Sequence, residues 1–138
     1  MNDKPYELTF PQHGDERGYL VAIEGGSDVP FEIKRIFYIY GSDEKVVRGR
    51  HANKNSQFVL INVAGNCKVR VCDTSGEERA YVLDHPRMGL YLPAKVWKDM
   101  YDFSHDSILL CLSSERYDPD EYIRDYDAFM RLCAEEKA

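Results

Sequence analysis

The chain has 138 residues, 43% of them hydrophobic and 30% charged, with a net charge of −6. That length suits one domain with a core of its own. The acidic balance excludes the basic face of a nucleic-acid binder, and apolar runs of at most five or six residues exclude a bilayer-spanning helix.

The N-terminal MNDKPYELTF is polar and holds no apolar signal-peptide core, so a cytoplasmic protein without a membrane partner is expected. From there the apolar residues recur with period two or in short runs. Strands are predicted over Tyr6–Phe10, Tyr19–Glu24, Ile33–Tyr40, Gln57–Val63, Cys67–Asp73, Arg79–Leu83, Met88–Pro93 and Ser107–Ser113. Gly25-Gly26 and Gly41-Ser42-Asp43 close the earlier strands, Gly65-Asn66 marks a hairpin, and Gly76 marks another turn. The period then changes. Tyr122, Ile123, Tyr126, Phe129, Met130 and Cys133 fall on one helix face, with Asp118 as cap and Pro119 in the first helical position, so a helix is predicted over about 119–135. A run of short strands followed by one helix argues for an all-β fold, a barrel or sandwich, as one domain over 1–138. Cys67, Cys72, Cys111 and Cys133 include no CxxC pair. Cys67 and Cys72 point to opposite faces of one strand, and all four read as buried hydrophobes.

The densest polar cluster is Arg48-Gly49-Arg50-His51-Ala52-Asn53-Lys54-Asn55-Ser56-Gln57. In an extended segment His51 and Asn53 share a face, while Arg48 and Arg50 share the other. Gly49 leaves room beside His51 for a ligand, and arginines are the forked donors that phosphate recognition uses.

Arg48-Gly49-Arg50-His51 resembles the signature of small cupins that act on nucleotide-activated sugars. The segments GYLVAIEG (18–25), PFEIKRIFY (30–38), RGRHANK (48–54), GLYL (89–92), VWKDMYDF (96–103) and YIRDYD (122–127) are similar to the dTDP-sugar 3,4-ketoisomerases, the WxcM-like family. The resemblance spans nearly the whole chain. It implies a homodimeric cupin-type antiparallel β-barrel, jelly-roll-like, with one C-terminal helix. It also implies a reaction converting a dTDP-4-keto-6-deoxyhexose to its 3-keto isomer, for surface polysaccharides such as lipopolysaccharide O-antigen. The family pattern is Arg-Gly-x-His-x-His-Lys; here Asn53 stands at the second histidine. An amide cannot take a proton at neutral pH, so it can only orient by hydrogen bonds.

Moving a ketone from C4 to C3 requires a base for the C3 proton, donors for the enediolate, and a proton returned to C4. His51 is the base candidate; His13, His85 and His105 lie in turn or loop sequence. Arg17, Tyr38 and Lys98 are donor candidates, and the resemblance implies that the positions of Arg17 and Lys98 face the sugar. Arg48 and Arg35 are candidates for the diphosphate, and Gln57 for another substrate contact. Tyr38, Tyr91, Tyr101 and Trp97 are candidates for thymine stacking or core packing. The metal-binding cupin positions read His51, Asn53, Gln57 and Lys98, one good ligand in four, so neither metal nor cofactor is expected. Two alternatives stand beside the isomerase: a 3,5-epimerase-like enzyme using one histidine, and a nucleotide-sugar binding module inactivated at Asn53.

Overall fold

A computed structural model gives the fold of residues 4–137; the first three residues of the polar N-terminal segment lie outside the described range. Twelve strands are present among the described residues: β1 (Tyr6–Thr9), β2 (Gln12–Asp15), β3 (Gly18–Val21), β4 (Arg35–Tyr40), β5 (Arg48–Asn53), β6 (Phe58–Ala64), β7 (Cys67–Cys72), β8 (Glu78–Leu83), β9 (Met88–Leu92), β10 (Trp97–Tyr101), β11 (Ile108–Ser113) and β12 (Tyr122–Ile123), before helix α1 (Tyr126–Lys137). Two five-stranded sheets run in the orders β1-β9-β6-β11-β4 and β12-β5-β10-β7-β8. β2 and β3 form a separate hairpin. The strand pairings within the sheets are antiparallel. The two sheets do not close into one continuous barrel, so the architecture is the sandwich form of the expected all-β fold.

Side chains from both sheets meet in one core: Phe58, Leu60, Leu90, Leu92 and Leu109 from the first, and Cys67, Val69, Val71, Leu83 and Met100 from the second. β6 is buried on both faces, because Val59 and Ile61 point the other way and are covered by Phe10, Val29 and Phe31. That explains its unbroken apolar sequence. The outer face of the second sheet is capped by α1, which places Phe129 and Cys133 on Ala52, Cys72 and Trp97. Burying Phe129 fully contributes about 2–3 kcal/mol. Cys67 thus faces the inter-sheet core and Cys72 the helix, and all four cysteines are free and buried.

The helix differs from expectation. Asp118 and Pro119 do open a helical turn, but it is a 3-10 turn over Pro119–Glu121 with the Asp118 side chain accepting from the Asp120 N–H. The chain then extends so that Tyr122 and Ile123 pair with Asn53 and Ala52. The ladder to β5 outcompetes the helical pattern of Tyr122 and Ile123, and α1 starts only at Tyr126. Four strands escaped the sequence reading: β2, β5, β10 and β12. Each is polar, short or interrupted by charge, which hides period-two alternation.

Candidate active site

The site is built on an irregularity in β5. Gly49 has φ 86° and Arg50 has φ 56°, and the β5–β10 register shifts between Lys98 and Asp99. A Cβ on residue 49 would lie 2.8 Å from the Lys98 carbonyl oxygen, so the backbone conformation and the close approach both require glycine. The bulge overrides simple alternation. Arg48 and His51, expected on opposite faces, both border one cavity between the sheets, while Arg50 turns to an outer groove.

That cavity has a volume of about 120 Å³. Phe37, Ile39, Phe58, Leu60, Met100 and Cys111 form its apolar wall, and Arg48, His51, Lys98 and Tyr122 are its polar members. The His51 Nδ1 lies 3.0 Å from the Gly49 carbonyl oxygen. A carbonyl only accepts, so Nδ1 carries the proton and Nε2 the lone pair. The Tyr122 ring packs against the imidazole with centroids 4.9 Å apart. Burial, reinforced by the Lys98 charge, pushes the His51 pKa down to about 4. The imidazole is therefore neutral at pH 7, the form that can accept a proton.

Lys98 is 4% exposed. Its Nζ donates to Asn53 Oδ1 at 3.1 Å and lies 4.6 Å from the Phe58 ring centroid. Burial pushes its pKa down to about 8, so the ammonium still dominates at neutral pH. Asn53 is buried between two charged groups, because its Nδ2 donates to Glu121 Oε1 at 2.9 Å. Glu121 Oε1 also accepts from Ser56 Oγ, and Oε2 accepts from the backbone N–H groups of Asn55 and Ser56, each at 2.9 Å. Burial alone would raise the Glu121 pKa, but these donors outweigh it and hold the carboxyl below its ordinary value.

Arg35 reaches the same region: its guanidinium donates to Tyr122 Oη at 3.4 Å and lies 4.9 Å from the Phe37 ring. Arg48, His51, Lys98, Asn53 and Arg35 are therefore brought together. Five other expected residues are not. Arg17 sits on the β2–β3 hairpin, paired with Asp15 at 2.6 Å. Tyr38 is 62% exposed and stacks on Tyr40, because strand alternation turns it away from Phe37 and Ile39. Gln57 and Tyr91 bond to each other at 2.6 Å, and Tyr91 packs against Tyr6 and Phe31 beneath the other face of the first sheet. Tyr101 lies under the Arg70 guanidinium in the outer groove, which Trp97 also lines.

Sequence reasoning missed Tyr122 and Glu121. Both sat inside an expected helix, where neither would face β5. The available signal was the acidic Glu121 just ahead of an apolar pair, in a segment rich in turn-forming Asp and Pro.

Residues 4–134 match the family described as FdtA: WxcM-like, C-terminal. The chain is 40% identical over 127 residues to the TDP-4-oxo-6-deoxy-alpha-D-glucose-3,4-oxoisomerase of Aneurinibacillus thermoaerophilus, covering 92% of this chain and 91% of that one. A 3,4-ketoisomerase from Helicobacter canadensis superposes with a TM-score of 0.91 at 38% identity, covering 96% and 99% of the two chains. A variant of the 3,4-ketoisomerase QdtA from Thermoanaerobacterium thermosaccharolyticum, solved with TDP-4-keto-6-deoxyglucose, gives 0.93 at 37% identity, covering 98% and 97%.

Proposed function

The chain belongs to the FdtA, WxcM-like family, and we propose that it is a dTDP-sugar 3,4-ketoisomerase converting a dTDP-4-keto-6-deoxyhexose to its 3-keto isomer. One observation carries the reading: a neutral imidazole protonated on Nδ1, with its lone pair on Nε2, shares a cavity with a buried ammonium and an arginine at its edge. His51 Nε2 removes the proton from C3, and the electron pair of that C–H bond forms the C3–C4 double bond of an enediolate. The former C4 carbonyl oxygen takes the negative charge, and Lys98 is the donor that stabilises it. The C3 hydroxyl proton then passes to O4 as C3 becomes the ketone, and the proton held on His51 Nε2, exchangeable with water, is delivered to C4, which leaves the imidazole neutral again. C3 is oxidised and C4 reduced within one molecule, so no outside electron acceptor is needed. Asn53 orients Lys98 and takes no proton. Arg48, the exposed polar member of the cavity lining, holds the diphosphate, and Arg35 steadies Tyr122 beside it.

The proton transfers run without a metal. A divalent cation here would meet Lys98 and Arg48, and Gln57 points to the other side of its sheet. The protein acts as a one-domain homodimer in the cytoplasm, on the route to surface polysaccharide such as O-antigen. Two exposed apolar surfaces support the dimer: Tyr19 (79% exposed) and Leu20 on the hairpin, and Ile36, Tyr38 and Tyr40 along the edge strand β4. Arg17 and Tyr38 both lie on these surfaces.

The test is proton exchange. Incubated with dTDP-4-keto-6-deoxyglucose in heavy water, the protein should place deuterium at C3 of the recovered 4-keto sugar and at C4 of the 3-keto product it forms, read by NMR. Deuterium at C5 would indicate a 3,5-epimerase instead, and no exchange a binding module.

A further inference from the structure

We propose that Glu121 is a positioning residue of this site: by accepting the Asn53 amide N–H it fixes which end of that amide meets Lys98, and so keeps Nζ a hydrogen-bond donor beside the imidazole. This rests on reading the cavity as the keto-sugar site.

The carboxylate is 4% exposed, and among the described residues no Lys or Arg pairs with it. An ionised carboxylate only accepts hydrogen bonds. Its two oxygens divide the work. Oε2 ties down the β5–β6 loop through the Asn55 and Ser56 N–H groups, and Oε1 is directed at Asn53 Nδ2 and Ser56 Oγ. Three of these four bonds tie the loop, and the Asn53 bond is the one that reaches beyond it to the partner of Lys98. The Asn53 amide then spans a negative and a positive group, with Nδ2 on Glu121 and Oδ1 on Lys98. Turning it over would set carbonyl against carboxylate and N–H against ammonium, and both contacts repel. Without the charge at residue 121 only the Lys98 half of that bias is left, and the hold of Oδ1 on the ammonium weakens.

The groups facing Lys98 make this coupling matter. Arg48 and His51 approach from β5 and Cys111 from β11, with Phe58 from β6; Arg35 on β4 and Arg124 after β12 add positive charge to the same region. Burial pushes the Cys111 thiol up to about 12, so it is uncharged at neutral pH. Glu121 is the carboxylate that favours the ammonium.

The experiment is a titration of Lys98 in the ligand-free protein carrying ¹³Cε-labelled lysine, with the signal assigned by its loss in Lys98→Met. The parent midpoint is expected near 8. In Glu121→Gln it should fall by about one pH unit or more, a tenfold loss in proton affinity, and the basic limb of kcat should move with it while KM changes less than about twofold. Glu121→Asp, which keeps the charge, should recover part of the displacement. An unmoved midpoint in folded Glu121→Gln, or a kcat profile lowered uniformly with its limb in place, would overturn the assignment. Should Glu121→Gln fail to fold, Asn53→Leu keeps the loop tie and removes the relay. It must lower the midpoint likewise, and an unmoved midpoint there overturns the assignment too. The titration needs no substrate. A protein inactive on the keto-sugar but with a coupled Lys98 would refute the isomerase reading and leave the positioning role standing.

Discussion

Lys98→Met separates what the chemistry needs from what the fold needs. Burial moves the Lys98 pKa from 10.5 to about 8, and each unit is worth 1.36 kcal/mol, so holding the charge at pH 7 costs the folded state about 3 kcal/mol. Methionine keeps the length of the side chain without the charge. It leaves Asn53 Oδ1 without its donor, which costs about 1–2 kcal/mol. The net expectation is a variant more stable than the parent by about 1–2 kcal/mol at pH 7 and without turnover. The sign with pH follows from proton counts. A lysine whose folded pKa is depressed binds more protons unfolded than folded between pH 8 and 10.5, so parent stability rises across that window. The variant lacks this dependence, and its advantage should vanish by about pH 10. Urea unfolding of both proteins at pH 7 and pH 10, with unchanged m-values, measures the difference. A variant clearly less stable than the parent at pH 7 would refute the reasoning and make the buried charge part of the scaffold.

Arg48→Ala should weaken dTDP binding by roughly tenfold or more, since a charge-assisted hydrogen bond is worth about 1.5–3 kcal/mol; unchanged affinity by calorimetry would remove Arg48 from the site. Asn53→His should keep or raise turnover. A neutral imidazole offers one donor and one acceptor, matching the bonds to Glu121 and Lys98, and a tenfold loss would show that the network admits only the amide. With the His51 pKa pushed down to about 4, kcat/KM should hold down to about pH 5 and fall as pH approaches 4; an acid limb near 6.5 would show the imidazole to be solvated in the working enzyme. Stability should also decline as pH falls from 6.5 toward 4, because there the unfolded chain takes a proton at His51 that the folded one refuses.

The strands with clean apolar runs, β4, β6, β7, β9 and β11, were legible because their side chains meet both sheets of the core. β5 and β10 were not, since their polar residues serve the cavity rather than the core, and Gly49 breaks the alternation on which strand recognition depends. His51, Lys98 and Arg48 could be picked out by residue type, yet alternation set Arg48 on the wrong face; only the bulge brings it to His51. Tyr38, Tyr91 and Tyr101 show the reverse: suitable chemistry on strands whose pleat turns them elsewhere, and Gln57, in the loop just ahead of β6, bonds to Tyr91. Glu121 was hidden because helix capping and loop tethering use the same acidic residue in the same Asp-Pro context.

The central claim is that His51 carries the proton from C3. His51→Asn removes the base while keeping a polar side chain of similar size, so dTDP should still bind. In heavy water with dTDP-4-keto-6-deoxyglucose, the account predicts that deuterium entry at C3 falls by roughly 10²–10⁴-fold and that the 3-keto product disappears. Deuterium entering C3 at the parent rate in His51→Asn would contradict it.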